Sequence, residues 1–98
     1  MTHFVVKQAL AERDLIDIWL YTYGEWGEAQ ADRYLDELDA AIHLIAEQPT
    51  LYRERPEFTH PIRIYHQSHH LIVYQVFSDH IVVVRVLHEN MDIESRLP

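Results

Sequence analysis

Hydrophobic and polar positions along this chain change their period several times. Thr2 to Lys7 (THFVVK) is rich in β-branched and aromatic residues and predicts a short strand. From Gln8 the period becomes helical: Ala11, Leu15, Ile18 and Thr22 recur at the spacing of one helix face. Gly24 and Gly27 bracket Trp26 and predict a turn. A second helix begins near Glu28, with Ala31, Tyr34, Leu35, Leu38, Ala41, Ile42 and Ile45 as its apolar face. Asp32, Asp36, Glu37 and Asp39 lie opposite, as a solvated face, and Pro49 ends the helix. The short turn makes the pair an antiparallel helical hairpin.

Residues 50 to 60 (TLYRERPEFTH) have no period and read as a loop; Pro61 to His66 is a third strand-like run. Then come His69 to Phe77 and His80 to His88, two apolar runs separated by Ser78 and Asp79, the signature of a tight β-hairpin. Asn90 to Pro98 is a short polar tail with room for one helical turn. The order β-α-α-β-β-β predicts an α+β domain, an antiparallel sheet with the helical hairpin packed on one face.

If Ser78 and Asp79 form a two-residue loop, Phe77 pairs with His80, His69 faces His88 and Ile72 faces Arg85. One face of the hairpin then carries Leu71, Val73, Val82, Val84 and Val86, and the other carries Ile72, Tyr74, Val76, Ile81, Val83 and Leu87. Both are apolar, whereas a sheet wet on one side alternates with polar residues. Two helices cover one side only. The expectation is that the Leu71–Val86 face stays open for a partner.

The 98 residues make one domain, 1–98, long enough to bury roughly two-thirds of its surface without disulfides. There is no cysteine, so neither a disulfide framework nor a thiolate metal site is available. No signal-like segment or membrane-length apolar run is present, which leads to a cytoplasmic expectation. Asp and Glu number 16 against 8 Lys and Arg, a net charge of -8. That opposes direct nucleic-acid binding, which needs cations on phosphates. Mild acid would offset the charge, because the chain has 8 histidines.

His60, His66, His69, His70, His80 and His88 crowd the C-terminal half, yet no spacing matches a compact ligand motif, so no metal and no cofactor are expected. A metal-free ribonuclease would need an acid, a base and cations, for which His69, His88, Arg63 and Arg85 are the candidates. Against this, Arg85 lies among valines, where tying strand ends, the tail or a carboxylate is its better role. Trp19, Tyr21, Tyr23 and Trp26 straddle the helical turn, and most are expected to close the hairpin as core.

The residues Ala11-x-x-Asp14-Leu15-x-x-Ile18, Tyr21-Thr22, Trp26-Gly27-x-x-Gln30-Ala31 and Tyr34-Leu35-x-x-Leu38 resemble the helical hairpin of ParE-type toxins in the RelE/ParE superfamily. Pro49, Arg53, Arg55 and Arg63 fall at that family's proline–arginine loop and next strand. His70-x-x-x-Tyr74 and Arg85-Val86-Leu87-His88-x-x-Met91-Asp92 resemble its last two strands and their ending. The likeness runs from about residue 9 to residue 92 and implies the β-α-α-β-β-β fold.

It also implies a toxin of a toxin–antitoxin pair, a class that includes plasmid-stabilising systems. ParE-like members act on DNA gyrase; RelE-like members cut mRNA on the ribosome. The cleaving members usually carry an arginine where this chain has Leu71, and they tend to be basic. Both departures favour the gyrase branch. A glycine common in the family's loop is replaced near Tyr52.

The expected partners are a cognate ParD-like antitoxin and gyrase, with no membrane; a homodimer and a toxin–antitoxin hetero-oligomer are both compatible. Antitoxin anchors are expected at Leu71, Val73, Val82, Val84 and Val86, and target contacts at Arg63, Arg85, His88, Met91 and Asp92. The alternatives are a ribosome-dependent mRNA endonuclease and a toxin-like binding module without activity.

Overall fold

The computed structural model describes residues 2–97. β1 (Phe4–Lys7) leads into α1 (Ala9–Trp26) and α2 (Glu28–Glu47), followed by β2 (Arg63–Gln67), β3 (His70–Val76), β4 (His80–His88) and a single turn, α3 (Ile93–Arg96). The strands form one sheet in the order β1-β4-β3-β2. β1 runs parallel to β4 and the other pairs are antiparallel, so the sheet is mixed and not purely antiparallel as the sequence suggested.

α1 extends past Gly24 to Trp26, and Gly27 alone makes the turn. Gly27 has φ 90° and serves both helices, its N–H bonding the carbonyl of Tyr23 at 2.9 Å. A side chain there would meet no crowding, so the demand for glycine is conformational. The helices meet through small residues, Ala11, Ala31, Ala41 and Ala46 all being buried. Ile18, Leu38, Ile42 and Ile45 complete a core against Ile72, Tyr74, Ile81, Val83 and Val86. Thr22 is the buried polar residue here, and its hydroxyl donates to the carbonyl of Ile18 at 2.7 Å.

The expected hairpin is present, with the Phe77 N–H on the His80 carbonyl at 2.9 Å. Its register is as read from Val76↔Ile81 to Tyr74↔Val83 and then slips at a β-bulge between Val73 and Tyr74. Beyond it Val73 faces Arg85 and His70 faces His88. The expected pairs His69–His88 and Ile72–Arg85 are thus each off by one. A one-residue slip reverses side-chain direction. Val86 therefore joins the helix-side core and Leu87 the opposite face.

That opposite face is not open. Ile62, Val73, Val84 and Leu87 form a second core, covered by Phe58, Ile64, Val82, Ile93 and Leu97. The loop before β2 folds back through an Arg55↔Ile62 bridge, and the C-terminal turn lies over the strand ends. Both covering segments are aperiodic, so hydrophobic periodicity could not announce them. Only the turn-proximal corner stays bare, where Phe4, Val6 and Phe77 are exposed and His80 stacks on Phe77.

Candidate functional site

β1 ends at Lys7, so β4 loses its strand partner partway along; the last backbone bond to its edge is from the Gln8 N–H to the Val83 carbonyl at 3.0 Å. Asp14 of α1 takes over the role of the missing strand. Its Oδ2 accepts the Val86 N–H at 2.9 Å and Arg85 Nε at 2.7 Å, while Oδ1 accepts Nη2 at 2.8 Å. Arg85 also donates through Nη1 to the Arg96 carbonyl at 2.8 Å, pinning the tail that seals the second core. Fork-to-carboxylate geometry of this kind is both strong and directional, and it holds the Arg85 pKa above its ordinary value.

Just past this strap, α1 and the strand ends diverge into a groove of about 800 Å³. Its apolar lining comes from Ile18, Tyr21 and Trp26 of α1, Tyr34 of α2, and Val86 and Met91 at the end of β4 and beyond it. Tyr21 and Trp26 are 65% and 66% exposed and meet edge to face at 6.4 Å. Trp19 stacks on Tyr23 at 5.1 Å and donates to Asp32 at 2.9 Å on the hairpin's outer surface. The expectation that most of these aromatics are core is therefore overturned for Tyr21, Tyr23 and Trp26. Only the lower part of α1 has a sheet to pack against.

Imidazoles close the far end of the groove. The Tyr34 hydroxyl lies 2.5 Å from His70 Nδ1 and accepts the His69 N–H at 3.4 Å. Burial raises the Tyr34 pKa; with the phenol taken as donor to Nδ1, the His70 proton is assigned to Nε2. The His70 pKa is lowered to about 4, first by burial and then by the neighbouring His88 and His69. Glu89 bridges outside, Oε2 to His69 Nδ1 and Oε1 to His66 Nε2, each at 3.0 Å. These contacts, His69 first, hold its carboxyl below the usual range.

The ribonuclease candidates do not converge. His69 and His88 reach the groove, but Arg85 is committed to Asp14. Arg63 sits opposite Tyr74, at the other end of β2 from Gln67 and His70, and donates to the Tyr52 carbonyl at 2.6 Å. Among the described residues no lysine or arginine lines the groove, so an anionic phosphate meets neither there. Among the described residues no cluster of metal-ligand type is present, and no helix is long and apolar enough to cross a membrane.

Of the expected target contacts, His88 and Met91 line the groove and Asp92 leads into α3, whereas Arg63 and Arg85 are tied down internally. Of the expected antitoxin anchors, Val73 and Val84 are buried in the second core and Val86 under the helices; Leu71 and Val82 are half-buried. A partner would have to strip off the loop and tail to reach the buried valines. Asp14, Tyr34 and His70 carry most of the site's polar bonding; the sequence reading placed Tyr34 on an apolar helix face and named none of the three as a site residue. The one available signal was an acid one turn into α1 facing a lone arginine in an apolar strand.

The chain matches the family described as "ParE toxin of type II toxin-antitoxin system, parDE" over residues 5–93. It is 38% identical to Toxin ParE1 of Mycobacterium tuberculosis over 88 residues, 89% of this chain and 90% of the relative. It is 34% identical to Toxin ParE1 of Caulobacter vibrioides, with 89% and 90% covered. Toxin ParE of Escherichia coli is 34% identical over 98 residues, with 99% and 94% covered. A solved structure described as the chromosomal ParDE TA system from P. aeruginosa superposes with a TM-score of 0.77, at 13% identity, over 89% of this chain and 96% of that one. That structure shares the fold described above, and by the family match and the three relatives this chain belongs to the ParE toxins of type II toxin–antitoxin systems.

Proposed function

We propose that this toxin inhibits DNA gyrase by binding it, performs no bond chemistry of its own, and is silenced by a cognate ParD-like antitoxin that occupies the groove. The observation that carries this reading is the groove itself: open, apolar, walled by exposed aromatics and without an acid–base–cation set. Such a surface suits a polypeptide more than a phosphodiester. His88, Met91 and Asp92 are the proposed gyrase contacts. Because His88 and Met91 also line the groove, an antitoxin seated there covers part of the same surface, and neutralisation follows by occlusion.

Purified gyrase tests this. The expected outcome is loss of supercoiling on adding the toxin, restored by antitoxin, while transcripts in a translating extract stay intact. Cut mRNA with unaffected gyrase would replace this reading by the endonuclease one.

A further inference from the structure

We propose that the antitoxin segment filling the groove is cationic, an amphipathic stretch whose apolar edge meets Ile18, Tyr21 and Trp26 and whose lysines or arginines meet the acidic rim. This rests on the reading of the groove as the antitoxin's seat. The rim is predominantly acidic. From Asp14 to Asp32 the hairpin carries five carboxylates, and the two cations that bound this span are already engaged, Arg13 beside Asp17 and Arg33 on the groove-lining Gln30. Asp14 is neutralised by Arg85 and Asp32 accepts from Trp19 on the outer surface, which leaves Asp17 on the groove wall and Glu25 and Glu28 on either side of Trp26.

Asp17 has one cationic neighbour, Arg13 at 3.6 Å, with both side chains more than half exposed. Such a pair is weak and yields readily to a better partner. At the strand end Asp92 follows Met91 and adds to the field, while Glu89 is already engaged by His66 and His69. The chain as a whole carries -8, so the long-range potential has the same sign. The exposed Tyr21–Trp26 pair offers ring faces to a guanidinium or ammonium, a preference an anionic segment cannot use. An acidic occupant would bring like charges together across an apolar contact, which costs affinity and on-rate.

The test uses the Trp19→Phe protein, in which Trp26 is the sole tryptophan reporter. Two synthetic peptides with identical leucine positions, one with lysines and one with glutamates between them, are titrated while Trp26 emission is followed. The lysine peptide is expected to shift Trp26 and to bind at least about tenfold tighter, and that preference to fall about tenfold in an Asp17→Asn, Glu25→Gln, Glu28→Gln variant. It is also expected to shrink between 50 and 500 mM salt, as screening requires.

Equal binding, a glutamate preference, or lysine-peptide binding that leaves Trp26 unchanged would overturn the inference. A separate arm tests the underlying reading: expression of the chain without any antitoxin should arrest growth. Undisturbed growth with soluble, folded protein sinks that reading whichever peptide the groove prefers.

Discussion

The two apolar surfaces of the sheet have opposite fates. The Val73–Val84 surface is closed by the chain's own loop and tail, with Phe58, Ile93 and Leu97 supplying the cover. The surface under the hairpin is packed along its lower half and opens beyond the Asp14–Arg85 strap into a groove. Similar hydrophobicity thus ends as core in one place and as an open wall in the other. What separates them is geometry: segments without any period fold over the first, while a diverging helix leaves the second open. Exposed apolar residues at the groove are the ones with work left to do.

The largest expected effect comes from placing one charge on each surface. Val84→Asp buries an unpaired carboxylate in the second core and should cost about 3–5 kcal/mol of folding stability in urea unfolding. Tyr21→Asp lies on an exposed wall, should change stability by no more than about 0.5 kcal/mol, and should weaken antitoxin binding instead. A stable Val84→Asp protein that no longer binds would invert the comparison.

Next in size is the strap. Asp14→Ala leaves the Arg85 guanidinium and the Val86 N–H without their shared acceptor. A loss of about 3 kcal/mol is expected, together with loosening of the tail through the Arg85–Arg96 bond, readable as faster proteolysis near Arg96. Unchanged stability would mean that the edge of β4 is satisfied another way.

The two glycines are expected to respond with opposite signs. Gly27→Ala must adopt φ 90° and should destabilise by about 1 kcal/mol, whereas Gly24→Ala fills open space inside α1 and should stabilise by about 0.5–1 kcal/mol. If both stabilised, the turn would tolerate a side chain and the hairpin's hinge would be elsewhere.

The remaining expected effect is the response to pH, which is confined to acid conditions. His70 titrates at about 4 in the folded chain and near 6.5 when unfolded, so the unfolded state binds the extra proton between those values. Its contribution therefore favours folding above about 6.5 and is lost as pH falls toward 4. The lowered Glu89 acts in the same direction at more acid pH, where protonation breaks its bonds to His69 and His66. His70→Phe should flatten the slope of midpoint urea concentration against pH from 6.5 to 4; an unaltered slope would assign it to other groups.

Much of the fold was legible because period carries it. The stripes at Ala11–Thr22 and Ala31–Ile45 and the run His80–His88 each became the expected element. What stayed hidden depends on single residues or on distance along the chain. The bulge at Val73/Tyr74 has no glycine to mark it, and it alone exchanges the faces of Val86 and Leu87. The parallel placement of β1 beside β4 is a contact across more than seventy residues, outside any local pattern. His88 and Met91 at the groove were legible from the resemblance. Asp14 as a strand substitute and Tyr34 as the partner of His70 needed the folded chain.

The most direct test of the account is methyl NMR of the toxin titrated with its antitoxin. Perturbation is expected at Ile18, Val86 and Met91, which line the groove, while Val73, Val84 and Leu87 keep their free-state shifts. Shifts confined to Val73, Val84 and Leu87, with the groove methyls unmoved, would contradict it and return the docking surface to the sealed side of the sheet.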